Sequence, residues 1–242
     1  LRLVAAFLRG LPPEEIGAAV HFLTGRAFPS SDARVLGVRW LPAAAPAGER
    51  PDGPPLTLAD VATAFGEVAA ASGAGSRRLR EERLTRLAAR TSDAERAILA
   101  RIIAGEMRTG VSDGLVQDAI GMAVGADAPT VRRAALFLGD LAAVAELAGR
   151  GGAEALRSAT PRPFVPLLPM LAEIASDFDE VLRAHGGRTA LEYKYDGARV
   201  QLHREGARVG IWTRRLSDVT RSLPDVVALA RRDLRGDPLI LD

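Results

Sequence analysis

Apolar positions recur at helical spacing through roughly the first 150 residues, and at strand spacing close to the end of the chain. Ile16, Ala19, Val20 and Leu23 share one face behind Pro12-Pro13-Glu14-Glu15. A proline is tolerated in a first turn because its missing donor is not needed there, and acids favour that end of a helix. The same periodicity predicts helices over residues 58–71 and 77–90, separated by Gly73-Ala74-Gly75-Ser76, with Leu79, Leu84 and Leu87 toward a core. Ser92-Asp93-Ala94-Glu95 reads as a capping box ahead of Ile98, Ile102 and Ile103. Leu115, Val116, Ala119, Ile120 and Ala123 continue an apolar face beyond a tight connection at 105–114. Asp127-Ala128-Pro129-Thr130 opens a further helix, and another covers 141–148, closed by Gly149-Arg150-Gly151-Gly152. Residues 43–55, rich in Ala, Pro and Gly, read as a loop.

Pro161, Pro163, Pro166 and Pro169 disfavour both continuous helix and a central strand, so they predict a stiff crossing, docked through Met170-Leu171-Ala172 and Ile174. Beyond a short helix near 178–183 the period changes. Residues 190–195 are a strand candidate, with Tyr193 toward the core. Residues 199–204 and 207–213 form a hairpin about Glu205-Gly206, 223–230 a helix, and Leu239-Ile240-Leu241 a terminal strand. The expected fold class is α+β. An all-helical front domain over 1–160 and a proline-rich linker over 161–172 precede the beginning of an α+β domain over 173–242.

Composition narrows the chemistry. With no cysteine, disulfides and thiol catalysis are excluded, and with three histidines a zinc site is disfavoured. No run approaches the 18 or so uncharged apolar residues of a membrane span. The start, Leu1 to Leu8, imitates the apolar part of a signal peptide, but Arg9 and Leu11-Pro12-Pro13-Glu14-Glu15 break that pattern, and a cytoplasmic protein is expected. The net charge of +2 says little about partners. Residues 188–235, however, carry one lysine and ten arginines against six acids, a local excess of five that suits phosphate or equally a solvated basic face.

Lys194 is the single lysine of the chain; every other Lys or Arg position is arginine. Arginine replaces lysine in surface work but cannot readily supply a neutral primary amine. Lys194 is therefore a candidate for amine chemistry, or the residue of an arginine-biased composition. An amine near its usual value of roughly 10.4 must lose a proton before it attacks phosphorus; neighbouring cations and desolvation favour that loss. On an extended strand Glu192 and Lys194 would face the same way, with a sharp turn at Asp196-Gly197 and Arg199 beyond. Glu192 opposes loss of the proton and suits nucleotide recognition better. A Walker loop is absent. Trp212 shares a strand face with Arg214 and could equally be core, and His203 lacks an evident carboxylate partner. In the 105–114 connection Thr109, Gly110, Ser112 and Gly114 are small enough to let backbone amides approach a phosphate, with Arg108 adding charge; a helix turn without a ligand is the plainer alternative.

The segment Lys194-Tyr195-Asp196-Gly197-Ala198-Arg199 resembles the Lys-x-Asp-Gly-x-Arg motif of ATP-dependent DNA ligases. Flanking Glu192-Tyr193 and the hairpin from Val200 strengthen the resemblance, and Trp212-Thr213-Arg214-Arg215-Leu216-Ser217-Asp218 is similar to that family's next motif, with Thr213 where serine is frequent. Residues 105–120 resemble the DNA-touching helix-turn region of that family's helical front domain, and Gly73-Ala74-Gly75-Ser76-Arg77 resembles a linker in its bacterial and archaeal-like members. Residues 164–172 resemble the passage into the adenylation domain. The resemblance implies that Lys194 attacks the α-phosphate of ATP, leaving a lysyl-AMP. It implies that Glu192 contacts adenine, Arg199 the ribose or phosphates, and Arg214 the nucleotide and the DNA 5′ phosphate. It also implies Mg2+, with Mn2+ able to substitute, and nicked duplex DNA bound by a monomer through Arg108, Thr109, Gly110, Ser112, Gly114 and Arg214. Asp242 stands where a third motif, Asp-Gly-Glu, would begin, so the chain is expected to be part of a longer enzyme carrying the remaining metal and triphosphate motifs. An RNA ligase, a capping-type nucleotidyltransferase and a non-catalytic DNA-binding fragment are the alternatives.

Overall fold

A computed structural model describes residues 1–29, 32, 34–42, 54–107, 109–169, 174–194 and 196–242. The chain is α+β and separates into two compact units, Leu1–Leu167 and Leu168–Asp242, whose junction falls inside the proline-rich run.

The first unit holds α1 (Arg2–Gly10), α2 (Pro13–Leu23), α3 (Leu58–Ala70), α4 (Ser76–Ala88), α5 (Asp93–Ala104), α6 (Asp113–Val124), α7 (Ala128–Leu138) and α8 (Leu141–Arg157). Their starts follow local chemistry. Thr57 and Asp60 close a capping box on α3, Ser92 and Glu95 close one on α5, and Ser112 and Asp127 accept backbone N–H bonds at the starts of α6 and α7. One core forms where α2 to α5 meet. Phe22 and Phe65 sit edge to face with centroids 5.7 Å apart, and Val61, Val68, Leu84, Leu87, Leu99, Ile102 and Ile103 surround them. Ile98, half exposed, lies off that face.

Around α8 the packing is made by small residues. Ala5 and Leu8 of α1, Ala119 and Ile120 of α6, Ala134 and Ala135 of α7, and Val144, Ala145 and Ala148 of α8 are all buried. Glycines give room where α2 meets α8: a Cβ on Gly17 would displace the end of the Glu146 side chain, and one on Gly149 would displace Ile16 Cδ1. The sequence pattern ended this last helix at Gly149–Gly152. Instead, Gly151 and Gly152 leave helical geometry and the chain re-enters a helical turn that carries buried Leu156. Two adjacent glycines permit the break, and the burial of Leu156 draws the chain back against the bundle. The leader-like stretch at residues 1–8 is α1, which buries Ala5 and Leu8.

In the second unit α9 (Phe178–Ala184) precedes β1 (Val200–Glu205), β2 (Arg208–Thr213), a short 3-10 turn (Thr220–Ser222), α10 (Pro224–Asp233) and β3 (Leu239–Leu241). The sheet order is β2-β1-β3, antiparallel throughout. The hairpin loop is Gly206-Ala207, with Gly206 at φ +56° in the first of the two loop positions, the place a type II′ turn reserves for glycine. Alternation on β1 sends Leu202 toward α10, where Val209, Ile211, Val227 and Ala230 complete a small core. Gln201, His203 and Trp212 are buried on the opposite alternation, and the His203 and Trp212 rings lie 4.7 Å apart. Trp212 is thus core, and burial pushes the His203 imidazole below its ordinary value, which suits a packed neutral ring.

Three expectations are corrected here. Residues 190–194 form no strand, Leu191 and Tyr193 are 80% and 90% exposed, and the alternation foreseen for Glu192 and Lys194 has no sheet to act on. An extended segment needs a partner ladder for its backbone groups, and among the described residues this one has none. Ile174 is fully exposed rather than docked. Met170 to Ala172 and most of the 43–55 loop lie outside the described residues. No described helix is long and apolar enough to cross a membrane.

His21 Nε2 on α2 lies 3.2–3.3 Å from both carboxylate oxygens of Asp140, the residue before α8. Burial acts to raise the Asp140 carboxyl, but the hydrogen bond and charge of His21 outweigh it and leave the group below its ordinary value. A carboxyl lowered by folding stabilises above its unfolded value, and that stability is lost as pH falls through the folded one. Asp140→Asn is expected to cost about 1–2 kcal/mol at pH 7. Urea titrations should show that the difference from wild type shrinks as pH falls below 3.8, the ordinary value of the group.

Candidate functional site

The register of the hairpin decides what meets what. Val200 pairs with Thr213 at its open end, so Arg199, one residue before β1, and Arg214, one residue after β2, leave the sheet at the same end. On the other edge Leu202 pairs with Leu241, which carries Asp242 to that end too. The exposed arm bearing Lys194 leads into β1 there.

Lys194 and Glu192 are exposed, and among the described residues Lys194 makes no ion pair or hydrogen bond. Its amine is open to solvent and to any incoming ligand. The structure gives no strand face that would pair it with Glu192, and Tyr195 lies outside the described residues. Arg199 is engaged. Its Nε donates to Asp242 Oδ1 at 2.8 Å, and a second guanidinium nitrogen donates to Asp242 Oδ2. This two-point pairing holds the Asp242 carboxyl below the usual range and pushes the guanidinium up. Sequence reasoning placed Asp242 at the start of a third motif but gave it no partner. The signal that could have found it was the pairing of β3 with β1, which local periodicity does not supply.

Arg214 and Arg215 stand at the tip of the loop after β2, both exposed, and among the described residues neither forms an ion pair. The arginines in and just after α4 behave differently. Arg77, Arg78 and Arg83 pair with Glu81, Glu82 and Glu67, Arg90 beyond the helix pairs with Asp60, and Arg80 donates to the carbonyls of Val68 and Ala71. Much of the positive charge on that helix is therefore spent on its own neighbours.

In the first unit, Thr109, Gly110 and Ser112 are exposed in the turn before α6, and Gly114 is exposed in the first turn of that helix. Gly110 takes φ +70°, Thr109 Oγ1 accepts the Val111 N–H at 3.4 Å, and Ser112 Oγ accepts the Leu115 N–H at 3.2 Å. Thr109, Gly110 and Ser112, with Leu23, Thr24 and Met107, line a hollow of about 480 Å3. Asp113, paired with Arg26 at 3.1 Å, adds an acid beside it. Arg108 lies outside the described residues. Among the described residues no group of three or more acidic or histidine side chains is placed to hold a metal ion.

Comparison with known proteins gives these residues a context. Residues 169–242 match the family model described as ATP dependent DNA ligase domain, and residues 44–121 match the DNA ligase N terminus. A probable DNA ligase of Anaeromyxobacter dehalogenans is 42% identical over 228 residues, covering 94% of this chain and 44% of the relative. One from Mycobacterium marinum is 41% identical over 249 residues, covering 97% and 47%. The DNA ligase of Aeropyrum pernix is 40% identical over 193 residues, covering 78% and 32%. The two family matches together take in more than half of the chain, which belongs to the ATP-dependent DNA ligases. It spans less than half the length of these relatives.

The Arg199–Asp242 pairing makes a direct prediction. Arg199→Ala should let the Asp242 carboxyl titrate closer to 3.8, read by carboxyl carbon NMR shifts. An unchanged titration midpoint would show that the two side chains do not pair in solution.

Proposed function

We propose that the protein containing this chain seals nicks in duplex DNA with ATP, and that Lys194 is its nucleophile. The carrying observation is the single lysine, exposed on the arm that leads into the sheet end where Arg199, Arg214 and Asp242 converge, within the ligase-domain match. The neutral amine of Lys194 attacks the α-phosphorus of ATP. A phosphorus–nitrogen bond forms, the bond to the bridging oxygen breaks, pyrophosphate leaves, and the amine proton passes to solvent. The 5′ phosphate of a nick then takes the AMP from Lys194, and the adjacent 3′ hydroxyl displaces AMP to join the strand.

In this reading Glu192 contacts adenine and Arg199 the ribose or phosphates, sharing its guanidinium with Asp242. Arg214 binds the nucleotide and then the 5′ phosphate, where a planar guanidinium grips two oxygens with a directional control that an ammonium lacks. Thr109, Gly110, Ser112 and Gly114, with Arg108, hold the duplex through its backbone. A divalent cation, Mg2+ or Mn2+ in its place, would neutralise phosphate charge, but the described residues do not supply a ligand set for one. We assign a monomer acting in the cytoplasm.

Incubating the full-length protein with α-labelled ATP tests this reading. Wild type should retain label and Lys194→Arg should lose it by a factor on the order of a thousand or more, since a guanidinium stays protonated. Label should then pass to nicked DNA. Retention by Lys194→Arg, passage to RNA alone, or labelling by GTP in place of ATP would each overturn it.

The backbone-contact reading predicts salt dependence. Binding of residues 1–242 to duplex DNA should weaken by about tenfold or more between 50 and 200 mM salt, with little preference among sequences. Salt-insensitive or strongly sequence-selective binding in a fluorescence anisotropy titration would contradict it.

A further inference from the structure

The chain that leaves β2 doubles back along the outer edge of that strand. The Leu216 N–H donates to the Thr213 carbonyl at 2.8 Å, so Arg214 and Arg215 occupy the two central positions of a tight turn. Beyond it the Thr213 N–H donates to the Ser217 carbonyl at 3.0 Å, Trp212 bridges Asp218, and the Val219 N–H donates to the Ile211 carbonyl at 2.9 Å. Thr220 Oγ1 closes the return by accepting the Ile211 N–H at 2.9 Å. The two arginines are thus presented by a small closed loop.

Two features show that this loop is held in one shape. Leu216 has φ +61°, a left-handed conformation that costs an ordinary residue roughly 1 kcal/mol or more. Its side chain is only 3% exposed, so apolar burial offsets the strain. Inside the loop Thr213 Oγ1 accepts two backbone hydrogen bonds, from the Arg215 N–H and the Ser217 N–H, each at 3.3 Å. One hydroxyl therefore ties the residue before the arginines to the second arginine and to the residue that closes the turn.

We propose that Thr213 is a positioning residue, which preforms the Arg214–Arg215 tip as a clamp for a DNA phosphate. The idea rests on the reading of Arg214 given above and adds to it the group that sets its aim. A guanidinium on a slack loop loses ordering entropy when it grips an oxyanion, whereas one on a preformed turn has already done so. Thr213 itself touches neither nucleotide nor DNA in this scheme. Its hydroxyl acts through the backbone of the tip, so serine should serve as well and an isosteric valine should not.

Single-turnover transfer of AMP from the adenylated full-length protein to nicked DNA, set beside its self-adenylation by ATP, tests the proposal. Thr213→Val should raise the apparent KM for nicked DNA about tenfold, which is about 1.4 kcal/mol. The KM for ATP in self-adenylation should rise by a smaller factor than that for DNA, and Thr213→Ser should restore wild-type transfer. A Thr213→Val protein that handles nicked DNA normally while Arg214→Ala is crippled would overturn the positioning role alone. Normal transfer by both variants would overturn the assignment of the tip to phosphate as well. An equal loss in both steps, unrepaired by serine, would reduce Thr213 to a residue of general stability and overturn the proposal.

Discussion

The pairing of β1 with a strand on each edge is the constraint from which the site follows. The hairpin register puts Val200 opposite Thr213, and the β1–β3 register puts Leu202 opposite Leu241. Those two pairings alone deliver Arg199, Arg214 and Asp242 to one end of a three-stranded sheet. A slip of one residue would turn Leu202 and Ile211 away from α10 and carry Gln201 and Trp212 into their place. The small core beneath α10 therefore enforces the alignment of the polar groups at the strand ends. Arg204 adds a second restraint, because its guanidinium reaches from β1 to the carbonyls of Ala230 and Leu234 where α10 ends.

Charge placement explains why overall composition was a poor guide. A net charge of +2 conceals arginines put to different uses. In and just after α4 they are tied to the carboxylates and carbonyls of their own bundle, where exposed pairs contribute little each and mainly fix surface geometry. On the loop after β2, Arg214 and Arg215 are projected by a strained, hydrogen-bonded turn and make no ion pair among the described residues. Equal counts of guanidinium groups thus give unequal potential for binding an anion, and the backbone beneath them makes the difference.

Much of the helical unit was legible because its signals are local. Ser92 and Glu95, and Asp127 before a proline, each mark a helix start within a few residues. The β1–β2 hairpin was legible for the same reason, since Glu205-Gly206 sits between two alternating runs. Failures came where a distant partner decides. Residues 190–194 alternate like a strand, but alternation without a neighbouring ladder does not make one. The glycines near 151 looked like a stop because the pull of buried Leu156 beyond them cannot be seen in a local window. At the candidate site Lys194 stands out in the sequence by its uniqueness. Asp242 acquired a partner only once β3 was seen lying beside β1, and the hydroxyl of Thr213 acquired a purpose only once the turn had closed around it.

The central claim is spatial: the nucleotide is handled at the sheet end where β1 begins and β2 and β3 finish. Photocrosslinking of the full-length protein with 8-azido-ATP, followed by peptide mapping, reads that location directly. The account predicts adducts in residues 190–199 and 213–217. Adducts confined to the opposite end, at the Gly206-Ala207 turn, or to the exposed face of α10 would contradict it.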